Sequence, residues 1–139
     1  MSVSDSQLIS NLVLEYADLF DAGRWEEAAA LFTDAVVHTS DGESTSSQLL
    51  ALWRRMVIRY DDGTPKTSHL TTNLRIEVDG ETATCRSSYS VLQATESLPM
   101  QVICSGRYSD IFTRVDGTWR FASRAYAMDL RGDLSQHLR

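Results

Sequence analysis

The chain has 139 residues, 42% of them apolar, and a net charge of −6 from 13 basic against 19 acidic side chains. This length and composition suit one globular domain with a real hydrophobic core and exclude the disordered and fibrous classes. The acidic balance argues against a nucleic-acid partner, which wants a basic face, and no apolar run approaches the roughly 18 residues of a membrane span.

Residues 4–22 predict an amphipathic helix: Leu8, Ile9, Leu12, Val13, Tyr16, Leu19 and Phe20 recur at helical spacing, Ser4 or Ser6 can cap the start, and Gly23 marks the end. Residues 25–32 form a second, short helix with an Ala-rich side, which Trp25 is expected to pack onto a sheet. Residues 35–38 read as a short strand and Asp41-Gly42-Glu43-Ser44 as a polar loop. Thr45 or Ser46 then caps a third helix, 47–59, with Leu49, Leu50, Leu52, Trp53, Met56 and Val57 as its apolar residues. After Asp61-Asp62-Gly63-Thr64-Pro65 the pattern alternates. Strands are expected at 66–78, 81–94, 100–115 and 118–128, with hairpin turns at Asp79-Gly80 and Asp116-Gly117 and a further turn at Leu98-Pro99. The polar tail from Gly132 is expected to be loose. Helices first and a strand meander second imply a single α+β domain over residues 1–139, with three N-terminal helices covering one face of a curved antiparallel sheet. Such a sheet, closed at one end by helices, makes a cone whose interior is a pocket for a small molecule.

Cofactor fingerprints are absent: there is no GxGxxG, no phosphate-binding loop and no HExxH. Cys85 and Cys104 fall on separate predicted strands with no Cys or His at metal-ligand spacing, so two buried free thiols are expected and no metal. The N-terminus lacks a basic stretch followed by an apolar core. No signal peptide is therefore expected, and the cytoplasm is the expected compartment. Any activity would rest on acid–base side chains alone.

His69 is the foremost candidate for that work. It stands in Thr67-Ser68-His69-Leu70-Thr71-Thr72-Asn73, a polar opening for a strand that should be half-buried. Thr71 and Asn73 share its face if the strand is regular, which suggests a polar cavity wall, although a structural histidine bonded to backbone fits the same pattern. Tyr16 lies on the apolar face of the first helix, as a core tyrosine or as a phenol facing a dry pocket. Asp21 lies near that helix's C-terminal end, where the dipole disfavours a carboxylate; either solvent or a pairing with His69 accounts for it. Asp18 is rotated well away from Tyr16, while Asp21 lies closer to it. Asn73 suits a substrate hydrogen bond or the cap of a strand bulge. His38 suits the pocket mouth or the surface, and His137, in the tail, is expected to be inert. Arg107 and Arg120 read as outer-face charges. Arg124 and Tyr126, on one parity, are the pocket candidates of the last strand. Trp53, Met56, Trp119 and Phe121 read first as core, with Trp53 also a candidate substrate contact.

The segment Gly106-Arg107-Tyr108-Ser109-Asp110-Ile111-Phe112-Thr113-Arg114-Val115-Asp116-Gly117-Thr118-Trp119-Arg120-Phe121-Ala122-Ser123-Arg124 resembles the C-terminal hairpin of SnoaL-like domains, of the nuclear transport factor 2-like superfamily of cone-shaped folds. Ser68-His69-Leu70 with Asn73, and Tyr16 to Gly23 followed by Leu31-Phe32-Thr33-Asp34, resemble its other landmarks. In scytalone- and bile-acid-type dehydratases a helix tyrosine, an aspartate and a strand histidine surround the substrate. Tyr16, Asp21 and His69 are similar in order, and their separations of five and 48 residues look like those of the bile-acid enzyme. The resemblance makes Arg124 or Arg131 the counterpart of that enzyme's C-terminal arginine. Ketosteroid isomerases place a tyrosine as Tyr16 stands to Gly23 and an aspartate near the position of Asp41, but their second acid has no clear match; Asp110 is nearest.

The resemblance implies a cofactor-free lyase or isomerase, of dehydratase or cyclase type, acting on a small hydrophobic cyclic or polyketide-like molecule, with a homodimer as the default assembly. The superfamily also includes non-catalytic binding modules and epoxide hydrolases. A binding module is the alternative reading. An epoxide hydrolase ranks last, because Arg107 with Asp110 matches an Asp–Arg–Asp set poorly.

Overall fold

In a computed structural model describing residues 2–139, the first helix, α1, spans Asp5–Asp21. Ser4 Oγ accepts from the Gln7 N–H at its start, and Ile9, Val13, Ala17 and Phe20 form its buried stripe. The helix stops at Gly23, whose φ of 76° is a left-handed conformation that suits glycine. This end is pinned to the loop after the third helix. A Cβ on Gly23 would stand 2.0 Å from the Gly63 carbonyl oxygen, and the Arg59 guanidinium donates to the carbonyls of both Gly23 and Gly63.

The short helix α2 (Trp25–Ala30) packs against α1 and the third helix, not onto the sheet as expected. The Trp25 ring stacks on Phe20 with centroids 5.5 Å apart, its indole N–H donates to the Phe20 carbonyl at 3.1 Å, and the Arg59 guanidinium lies over the indole. Strand β1 (Val36–Thr39) is followed by β2 (Gly42–Ser44), so the segment expected to be a polar loop is instead the second arm of a hairpin, with Glu43 opposite His38. Helix α3 (Ser46–Met56) opens with a capping box in which Thr45 and Gln48 satisfy each other's backbone N–H groups.

Strands β3 (Thr67–Asp79), β4 (Thr82–Gln93), β5 (Gln101–Val115) and β6 (Thr118–Arg131) form an antiparallel meander. The six-stranded sheet has the order β2-β1-β6-β5-β4-β3, with β1 joining β6 in parallel. Register shifts at Thr72/Arg75, Val91/Leu92, Ser105/Gly106 and Ile111/Phe112 bend it and leave it curved and unclosed. The helices cover its concave face, and α1 lies against β3.

The core falls into two clusters. The larger joins Ile9, Phe20, Trp25, Phe32, Leu49, Trp53, Phe112 and Phe121; the smaller joins Tyr89, Val91, Leu98, Ile103, Cys104 and Tyr108. Each fully buried apolar side chain contributes roughly 1.5–3 kcal/mol. Tyr16 and Tyr126 touch both clusters and therefore stand at the seam between them. Both cysteines are free and buried. No helix among the described residues is long and apolar enough to cross a membrane.

The C-terminal segment departs from expectation: it is not loose. The Gly132 N–H donates to the Ile103 carbonyl at 2.7 Å, the Ile58 N–H to the His137 carbonyl at 2.8 Å and the Arg139 N–H to the Met56 carbonyl at 2.9 Å. Gln93 Nε2 donates to the Gln136 carbonyl at 3.0 Å. The segment is polar in side chains, but its backbone finds partners in the chain that leaves α3, and His137 is buried by that docking.

Comparing two glycines tests the pinned end of α1. Gly117 has nearly the same φ, 78°, but open space around it, so Gly117→Ala should cost about 1 kcal/mol from the backbone alone. Gly23→Ala should cost at least about 2 kcal/mol in urea denaturation, because the Gly63 carbonyl must also move. Equal losses at the two positions would contradict the close approach.

Candidate active site

A cavity of about 590 Å³ lies between the concave sheet face, α1, α3 and the docked C-terminal segment. Its walls are mostly aromatic and aliphatic: Phe20, Phe32, Leu49, Trp53, Tyr89 and Val91 among them. One polar constellation is built where α1 meets the start of β3. Asp21 is the last residue of α1, where the helix dipole works against a negative charge. Strand β3 offsets this with three donors. Thr67 Oγ1 donates to Asp21 Oδ1 at 2.8 Å, the His69 backbone N–H to Oδ2 at 2.6 Å, and His69 Nδ1 lies 2.6 Å from Oδ1.

A carboxylate only accepts, so this contact puts the proton on Nδ1 and leaves the lone pair on Nε2. The His69 side chain is 7% exposed and lines the cavity. Phe20 and Tyr16 meet its ring edge-on, at centroid distances of 5.3 Å and 6.3 Å. Burial pushes the Tyr16 phenol well above its ordinary pKa, against the pull of the Arg124 charge, so it stays a hydrogen-bond donor.

Arg124, from β6, is the largest polar group in the wall. Its Nε and Nη2 donate to the two oxygens of Asp110 at 2.7 and 3.0 Å, and the two side chains are 2% and 0% exposed. The guanidinium carbon lies 3.8 Å from the Tyr108 ring centroid and 4.8 Å from that of Tyr16. Burial opposes the Arg124 charge, but Asp110 more than offsets that and holds it as a cation. Nη1 is buried with no hydrogen-bond partner among the described residues.

This cone-like cavity, with an aspartate-bound histidine in its wall, can be set beside known proteins. Residues 1–125 match the sequence pattern of the SnoaL-like domain. The chain belongs to the SnoaL-like domain family. Among solved structures, a Mycobacterium tuberculosis protein of unknown function is 27% identical, with a TM-score of 0.73, over 90% of this chain and 72% of that one. A candidate scytalone dehydratase from Novosphingobium aromaticivorans is 25% identical, with a TM-score of 0.73, over 93% of this chain and 87% of that one. A Nostoc punctiforme protein with a cystatin-like fold has a TM-score of 0.77 at 18% identity, over 96% of this chain and 99% of that one, a likeness of fold alone. None of the curated protein sequences matches this one.

Within this SnoaL-like domain Tyr16, His69, Trp53, Arg124 and Tyr126 line one cavity, with Asp21 bonded behind His69. Arg131 and Asp41 stand at its rim. Two sequence candidates lie elsewhere. Asn73 does not share the face of His69: its backbone is left-handed, at φ 56°, in the bulge of β3, and it lines a groove on the outer sheet face with Arg75 and Arg86. The strand is not regular there, so parity fails. His38 is exposed on β1, with Nδ1 3.6 Å from Glu43. Arg107 and Asp110 are not partners: Arg107 pairs with Asp129, and Asp110 with Arg124.

Among the wall side chains that sequence reasoning missed are Tyr108 and His137. Tyr108 alternates with the buried Asp110 and Phe112, a parity signal open to reading. His137 carried no local signal; it is 8% exposed and reaches the cavity only because its segment docks on α3's exit. Burial, and secondarily His69, push His137 down to about 4. Cys104 also lines the cavity, and burial pushes its thiol up, so it contributes a neutral surface and not a nucleophile.

The unfolded chain binds a proton at His137 near its ordinary value of 6.5, and the folded chain not until about 4. Between those values the unfolded state holds the extra proton, so this contribution to stability is full above pH 6.5 and is lost as pH falls toward 4. Urea midpoints should fall through that window, and His137→Gln should flatten the fall; an acid limb of unchanged steepness would show that His137 does not set it.

Proposed function

We propose that the protein catalyses cofactor-independent proton transfer, of lyase or isomerase type, on a small hydrophobic ring compound bearing a carbonyl group. The observation that carries this reading is the 2.6 Å contact of Asp21 with His69 Nδ1, which leaves Nε2 as a base in an apolar cavity. In the proposed sequence Nε2 takes a proton from the carbon next to the carbonyl, and the pair of electrons moves to the carbonyl oxygen. The Tyr16 hydroxyl donates to that enolate oxygen, and Asp21 stabilises the imidazolium. The imidazolium then returns its proton. Delivered to a departing hydroxyl, it yields water and a carbon–carbon double bond; delivered to another carbon, it yields an isomer. Where the enolate carbon instead attacks a second carbonyl carbon and closes a ring, the proton goes to the new alkoxide oxygen. Trp53, Tyr126 and Arg124 are the proposed substrate contacts. The likeness to the candidate scytalone dehydratase supports the dehydration branch.

We also propose a homodimer formed through the outer sheet face. The exposed Leu70, Val102, Ile111 and Leu130 on that face support it. Sedimentation velocity should return the mass of two chains, and a monomer at micromolar concentration would remove this part.

The chemistry can be read without the natural substrate. The full chain should speed exchange of the α-hydrogens of 2-tetralone with heavy water, followed by proton NMR. His69→Ala should lower the rate on the order of 10²–10⁴-fold, Asp21→Asn should also slow it, and Tyr16→Phe should slow it less. A folded His69→Ala protein that exchanges at the wild-type rate would sink the mechanism. Binding of the ketone without exchange would favour a non-catalytic binding module.

A further inference from the structure

The polar groups of the cavity are unequal in kind. Tyr89 spends its hydroxyl on the Ala127 carbonyl, at 3.2 Å. The hydroxyls of Tyr16, Tyr108 and Tyr126, which also line the cavity, make no hydrogen bond among the described residues. Burial raises all three phenols above their ordinary value, Tyr16 and Tyr108 well above it, so each presents an O–H. Arg124 Nη1 is a fourth donor without a partner.

The setting of Tyr108 restricts what it can do. One face of its ring is stacked on Tyr89, at 4.7 Å between centroids and 24° between planes. The other face carries the Arg124 guanidinium at 3.8 Å. Neither face is open to a ligand ring, which leaves the hydroxyl as its only group for a ligand. The guanidinium is in turn neutralised by the bidentate Asp110 carboxylate. This end of the cavity is therefore rich in donors yet carries no net charge. Asp41 and Arg131, at the rim, are of opposite sign and do not change that balance.

We propose that the hydroxyls of Tyr108 and Tyr126 with Nη1 of Arg124 form a second, charge-balanced donor pole that binds a carbonyl oxygen, and that the ligand is a neutral, oxygen-bearing ring compound and not a carboxylic acid. The inference rests on the reading of this cavity as a substrate site. It adds Tyr108 as a specificity-determining residue and Asp110 as the positioning residue that cancels the Arg124 charge. A carboxylate would meet donors but no surplus cation, and would lose its hydration on entering an apolar cavity. A ketone loses little hydration and leaves the donors satisfied.

Three probes of one shape separate these effects: 2-acetylnaphthalene, 2-ethylnaphthalene and 2-naphthoate, measured by equilibrium dialysis on the full chain at neutral pH. The ketone should bind at least about fivefold more tightly than either of the others. Tyr108→Phe should erase most of its advantage while leaving 2-ethylnaphthalene unchanged. Tyr126→Phe should act in the same direction and serves if the first variant does not fold. His69→Ala should keep the order of affinities. That arm separates this proposal from the proton-transfer reading: loss of exchange with the order intact fails only the chemistry. The pole is overturned if 2-naphthoate binds as tightly as the ketone, if no probe binds below about 1 mM, or if Tyr108→Phe weakens ketone and hydrocarbon alike or neither.

Discussion

The Asp21 carboxylate ties the end of α1 to the start of β3, and much of the site depends on that tie. The position is unfavourable in the helix alone, because the last carbonyls of α1 repel a negative charge. It becomes favourable when β3 brings a hydroxyl, a backbone N–H and an imidazole nitrogen to the same two oxygens. The tie fixes the helix against the sheet and fixes which nitrogen of His69 faces the cavity. The left-handed turn at Gly23, pressed on the Gly63 carbonyl, holds the helix end at the distance this requires.

Arg124 and Asp110 make a second constraint of a different kind. A buried ion pair costs several kcal/mol of hydration per ion and adds little stability over an apolar pair of the same volume. Here it sets geometry. Two of the three guanidinium nitrogens are held by Asp110, and the guanidinium packs on the rings of Tyr108 and Tyr16, which leaves the remaining nitrogen without a partner among the described residues. Removing either partner would leave a charge buried alone, a far larger penalty than the pair contributes.

The two constraints give the cavity two polar groupings of different character, with the Tyr16 ring beside both. One holds an imidazole whose Nδ1 proton is placed by a carboxylate. The other holds phenols and a neutralised guanidinium with hydrogens to donate. The cavity wall around them is mostly apolar, where a hydrogen bond to a ligand counts for more than it would in solvent. A small SnoaL-like domain thus gathers titratable side chains from distant elements into one cavity through its tertiary structure.

Local periodicity by itself determined the helices and long strands of this chain and the shared parity of Arg124 and Tyr126, because each lies within one element where side-chain direction follows a fixed repeat. The trio Tyr16, Asp21 and His69, spread over α1 and β3, was legible only through the family resemblance. Tertiary structure decided what crosses between elements. The bulge of β3 turned Asn73 away from His69, since a bulge breaks the two-residue repeat on which parity depends. The segment 42–44 became a strand because β1 offered it a hydrogen-bonding edge. His137 entered the cavity wall because the last residues found backbone partners beside α3, some 80 residues earlier in the chain. The choice of Asp110 over Arg107's neighbourhood for Arg124 was set by strand register, which pairs those two residues directly across β5 and β6. None of these outcomes has a local signature, because each depends on which distant groups are left to satisfy a hydrogen bond or a buried charge.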